Sequence, residues 1–275
     1  MFLQESSGVA APDWILNMFG RLQRALNRQF GRLAARSAPS SPAEDGNREA
    51  RGAQPPVPIY VRLLRNSESL GDNCEFGFFQ RFENCEPSSL FRWAVTPIDR
   101  LIQFLQAPAE IFLDADLQCV ESDLVFDKGS GFYFHSDLIK KHGSGRELVS
   151  DPIEFSTIYP REKQKIDHLR SKFLLHLAGP PRLYVIKANA GIQDEDLFAL
   201  ARELRRYNSS HQLLHVTASS EFALVRKGDG VFEGAIGWLA PYHAANNIDL
   251  EGWRRLFADL SREMEIRALI EETAV

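Results

Sequence analysis

The sequence predicts an α/β fold built on a mixed sheet, and three observations predict it. Arg182–Ala188 (RLYVIKA) reads as a buried-type strand around Leu183–Ile186, Asp194–Tyr207 carries acids in its first turn and arginines in its last, and Leu213–Thr217 reads as another strand. That order reads as a strand–helix–strand unit with parallel strands, the helix ends matching the helix dipole. Two glycine turns, Lys128-Gly129-Ser130-Gly131 and Lys227-Gly228-Asp229-Gly230, each separate two apolar runs and predict hairpins. Long amphipathic stretches at Arg161–Leu177 and Leu250–Glu272 supply further helices.

The remaining elements follow in chain order. Residues 14–36 place Ile15, Met18, Phe19, Leu22, Leu26, Phe30 and Leu33 at helical spacing, with Arg21, Arg24, Arg28, Arg32 and Arg36 over much of the remaining surface. Asp13 is the expected cap. Residues 1–36 therefore form an N-terminal segment with a basic amphipathic helix. Such a helix packs on its own domain, docks on a protein or lies on an anionic membrane surface. Residues 37–58 are rich in Pro, Ser, Gly and charge and read as a flexible linker. The α/β globular domain is placed at 59–275. Within it a strand is expected over 60–65, then a helix from Glu75 to Phe82. Thr96 is expected to cap a helix reaching Leu105, with Pro97 in its first turn. Short strands are expected at Glu110–Leu113, Leu117–Val120, Leu124–Phe126 and Phe132–His135, and a last hairpin from Phe222–Val225 to Val231–Leu239.

Composition bounds the function. The chain has 275 residues, 44% of them apolar and 25% charged, enough for a core without disulfides or metals. A net charge of −5 gives no basic field for nucleic acid, and no nucleic-acid partner is expected. Cys74, Cys85 and Cys119 are odd in number, widely spaced and free of CxxC pairs, which suits a reducing cytoplasm. No basic start followed by a long apolar core marks a secretory signal, and no apolar run approaches roughly 18 residues. The expected location is cytoplasmic, peripheral to the membrane if residues 14–36 bind it. The sequence contains neither GxGxxG nor GxxxxGK[ST], and histidine spacing offers no metal site, so no cofactor or metal is expected.

Ser69-Leu70-Gly71-Asp72-Asn73-Cys74 is the most informative stretch. It sets one thiol at a helix start, beside backbone N–H groups without partners and the positive end of the dipole. Both favour thiolate and suit a nucleophile or an anion site; the alternative role of Cys74 is that of a small buried apolar residue. A nucleophilic cysteine needs a base. His135 ends the aromatic run Phe132-Tyr133-Phe134, and Asp137 follows two residues on, on the same face if the strand continues. Asp137 or a more distant acid such as Asp151 would orient the imidazole. Asn73 is a candidate donor to an oxyanion.

These residues resemble a bacterial family of unknown function described as papain-like cysteine peptidases, a label itself predicted. The SLGxNC motif followed by a helix carries the resemblance, with the aromatic–Trp segment Leu90–Pro97, Phe134-His135-Ser136-Asp137 and a later strand–helix–strand. It spans roughly residues 66–217 and implies Cys74 as nucleophile and His135 as base. Two positions depart from the family pattern: Arg92 stands where an acid usually precedes the Trp, and Ser136 follows the histidine in place of an acid. Arg92 is a candidate for binding an anionic group or substrate carboxylate. The implied function is a cysteine hydrolase, peptidase or amidase, or an acyltransferase, acting on a peptide or a small amide or ester.

A second constellation, Asp114-Ala115-Asp116 after an apolar run, resembles the metal-binding DxD of nucleotide-sugar glycosyltransferases. It gives the alternative of a metal-dependent transferase. A third reading is a binding module without catalysis, recruited through residues 14–36.

Overall fold

A computed structural model describes residues 58–120, 124–142, 145–228 and 230–273. The expected helix at 14–36 and the linker up to residue 57 lie outside the described residues.

The domain opens with helix α1 (Ile59–Arg65), not the strand expected there. Val61 and Leu64, three apart, are buried while Arg62 and Arg65 point outward. A short, largely apolar run such as Tyr60–Leu64 fits either period, and here packing selects the helical one. The strand follows at β1 (Ser67–Ser69), with three polar residues all buried. Each is accommodated by a specific partner. Ser67 Oγ donates to the Leu63 carbonyl, Glu68 pairs with His176, and Ser69 Oγ accepts from the Gly71 N–H.

Helix α2 (Glu75–Phe82) begins where expected. After it come β2 (Ala94–Val95) and α3 (Ile98–Gln106). Pro97, not Thr96, occupies the cap position of α3, and the Thr96 hydroxyl is turned to the Leu70 carbonyl instead. Glu110–Leu113 carries no strand; Phe112 there is fully buried at φ +61° and its N–H donates to Asp127 Oδ2. Strands β3 (Leu117–Cys119), β4 (Leu124–Asp127) and β5 (Phe132–His135) join β2 in an antiparallel sheet of order β2-β5-β4-β3. The first expected hairpin is thus present. A second hairpin, β6 (Ile139–His142) and β7 (Gly145–Leu148), was not anticipated.

Helix α4 (Pro152–Ala178) extends the expected 161–177 helix back over Pro160, and Asp151 caps it by accepting from the Glu154 N–H. Then β8 (Leu183–Lys187), α5 (Asp194–Tyr207), β9 (Gln212–Ala218), β10 (Ala223–Gly228), β11 (Val231–Ile236) and α6 (Leu250–Thr273) complete the chain. The main sheet has the order β1-β8-β9-β11-β10, with β1, β8, β9 and β11 parallel and β10 antiparallel at the edge. The predicted βαβ unit is β8-α5-β9.

Two cores fix the layers. Leu183 and Val185 of β8, Leu214 and Val216 of β9, Phe232 of β11, Phe76 and Phe79 of α2, and Trp253 and Phe257 of α6 form one cluster. On the other side, Phe91 lies 5.2 Å from Phe132 of β5 and 5.0 Å from Phe173 of α4, which in turn meets Tyr184 of β8. Edge-to-face rings of this kind bury large areas and prefer set angles, so they pin the small sheet against α4. Among the described residues no helix is long and apolar enough to cross a membrane.

Candidate active site

The site begins at the carboxyl end of β1, where loops of a parallel sheet commonly gather ligands. Gly71 (φ +94°) and Asp72 (φ +76°) turn the chain sharply out of the strand and deliver Cys74 to the cap position of α2. Gly71 is required there, since a Cβ would lie 2.1 Å from Thr96 Oγ1. Thr96 joins this loop to β2, and β2 pairs Ala94 with Phe134 of β5. That stitching brings His135, 61 residues along the chain, to the thiol: Cys74 Sγ and His135 Nε2 are 3.6 Å apart. The thiol is half-buried and the imidazole exposed.

The other sequence candidates are placed differently. Asn73 is buried; its Nδ2 donates to the Ala240 carbonyl and its Oδ1 accepts from the Glu75 N–H. It holds the helix start in shape and has one amide hydrogen tied to the loop after β11. Asp137 sits in the turn beyond β5 and is exposed. Asp151 serves as the α4 cap. Arg92 is buried away from solvent; it donates to the Gly77 and Pro87 carbonyls, pairs with Glu86 and lies over Trp93. Its guanidinium braces α2 through Gly77, where a Cβ would meet Arg92 atoms at 3.0 Å.

Lys187, at the end of β8, is a residue the sequence reading passed over. Its Nζ lies 3.0 Å from Glu75 Oε2 and 4.0 Å from Asp72 Oδ2, and it donates to Asn189 Oδ1. Glu75 is completely buried, and also accepts from the Ala240 N–H and from Trp253 Nε1. Lys187 thus ties together the two acids on either side of Asn73-Cys74. The signal was available: period-two alternation along Leu183, Val185 and Lys187 aims a lysine at the core face.

Electrostatics at the thiol oppose one another. Burial pushes the Cys74 thiol up to about 11, while the Lys187 charge pulls it down. Burial likewise raises the Asp72 carboxyl, against the hydrogen bond from Tyr242 and the Lys187 charge. At Cys74 burial is the larger of the two influences. The first-turn N–H groups of Phe76 and Gly77 have no acceptor within the helix.

The remaining cysteines serve packing: Cys85 is buried in the main core, and the Cys119 thiol donates to the Arg146 carbonyl. Asp114, exposed, and Asp116, partly buried, lie in a 3₁₀ turn in which Asp114 Oδ1 accepts from the Ala115 N–H. Among the described residues no group of three or more His, Cys, Asp or Glu is arranged to hold a metal ion. No protein-family model, curated protein or solved structure matches the chain.

Proposed function

We propose that the chain is a cysteine hydrolase or acyltransferase acting on a peptide or a small amide or ester. One observation carries this reading: a half-buried thiol at a helix start lies 3.6 Å from an imidazole nitrogen delivered by a separate sheet. The resemblance of the SLGxNC motif and of Phe134-His135 to the papain-like bacterial family points the same way. In the proposed reaction Cys74 Sγ attacks the substrate carbonyl carbon as His135 Nε2 takes the thiol proton. His135 then gives that proton to the leaving nitrogen or oxygen as its bond to the carbonyl breaks. N–H groups of the first turn of α2 stabilise the oxyanion. Water, or an acceptor amine or alcohol, cleaves the thioester by the reverse proton path. Burial raises the Cys74 pKa, so His135 is assigned as a base that takes the thiol proton during attack.

The test is turnover of a substrate panel by wild type, Cys74→Ala and His135→Ala. Cys74→Ala is expected to abolish turnover with the fold intact, and His135→Ala to lower it by about 10²–10⁴. Turnover unchanged in Cys74→Ala would refute the proposal.

A further inference from the structure

Two cavities meet at His135, and their walls differ in kind. One, of about 360 Å³, is walled by Phe78, Leu90, Trp93, Phe134, Ile166 and Leu169. The other, of about 320 Å³, is formed around Ser136, Asp137 and Ile139. His135 and Lys165 border both. Phe78 and Arg81 of the first cavity lie four and seven residues beyond Cys74 on α2, hence on its stripe. Cys74 is not itself among its walls; His135, 3.6 Å from the thiol, is, and so sets the cavity beside the nucleophile.

A group bonded to Cys74 as a thioester has this apolar cavity within reach beside His135. The proton carrier has to face the departing atom, so the leaving group lies beyond His135, toward the polar cavity. The cations at the apolar cavity's rim have partners, Arg81 in Glu86 at 2.9 Å and Lys165 in Glu162 at 3.5 Å. The aromatic and aliphatic walls set its preference. A dry cavity of about 150 Å³ is enough to take up benzene, so this one has room for a ring and its linker.

We infer that the apolar cavity is the acyl subsite and that the substrate donates an apolar, ring-sized acyl group, releasing its polar portion beyond His135. The inference rests on the Cys74–His135 reading.

The test uses three 4-nitrophenyl esters with a common leaving group: 3-phenylpropionate, acetate and succinate. Acylation of Cys74 is followed by nitrophenolate release and by the mass of the adduct. Iodoacetamide, too small to need the cavity, is run in parallel. Phenylpropionyl transfer is expected to exceed acetyl transfer on the order of a hundredfold, with succinyl slowest. Leu169→Trp, which fills the cavity, should bring phenylpropionyl transfer down toward the acetyl rate. Equal phenylpropionyl and acetyl rates in the wild type would overturn the acyl-subsite inference while leaving the nucleophile in place. The wild-type comparison needs no variant to fold. A Cys74 inert to iodoacetamide and to all three esters would instead overturn the nucleophile reading, and the inference with it.

Discussion

Lys187 Nζ lies 3.0 Å from Glu75 Oε2, both side chains almost wholly withdrawn from solvent. A buried ion pair survives only where remaining hydrogen-bonding positions are filled. Here they are, by Asn189, Trp253 and the Ala240 backbone. Lys187→Met leaves Glu75 buried and unpaired and should cost about 3–5 kcal/mol. Urea denaturation measures this, and adding Glu75→Gln should recover part of the loss by removing the stranded charge.

The thiol gives a pH prediction. Burial holds the folded Cys74 pKa at about 11, above an unfolded value of roughly 8.5. Its contribution to stability is full below the unfolded value and declines as pH rises through the folded one, because the unfolded chain releases the proton first. Over that window wild type should lose stability more steeply than Cys74→Ala. The alkylation rate of Cys74 should keep climbing to a midpoint near 11 and shift higher still in Lys187→Met.

Gly71→Ala places a Cβ 2.1 Å from Thr96 Oγ1 at a positive φ. Strain and overlap together should cost about 3 kcal/mol, read as a lower urea midpoint.

Thr96 is a positioning residue. Its hydroxyl links the Leu70 carbonyl to the strand that pairs with the His135 strand. Thr96→Val keeps the volume and removes the link. Turnover should fall by about tenfold to a hundredfold, and Thr96→Ser, which restores the hydroxyl, should recover it. A loss that Ser does not rescue would mark the position as packing alone.

The sequence made the main sheet legible where its strands are apolar. Leu183–Lys187 and Leu213–Val216 are buried on both faces and are rich in apolar residues, and the acids and arginines of Asp194–Tyr207 mark the ends of the helix between them. It hid β1, because Ser67, Glu68 and Ser69 carry no strand signal and are held by side-chain partners distant in sequence. It misassigned Ile59–Arg65 for want of length. Cys74 and His135 were legible from the turn chemistry before one and the aromatic strand before the other. The buried roles of Asn73 and Arg92 were not, because polar side chains bonded to the Ala240, Gly77 and Pro87 carbonyls look, in sequence, like those facing a ligand. Lys187 shows the converse, a charge ending an apolar strand with its purpose fixed only by Glu75 across the fold.

The topology also sets an order of events during synthesis. Among the described residues β1 sits at the edge of the main sheet and pairs with β8 alone. The segment bearing Cys74 thus leaves the ribosome well before His135, and earlier still than the strand that anchors it and carries Lys187. Until that strand emerges, the thiol has neither its sheet neighbour nor the charge beside it. A nascent or truncated chain ending before residue 183 carries the SLGxNC segment without the framework that holds it, so the site is assembled only once most of the domain has been made.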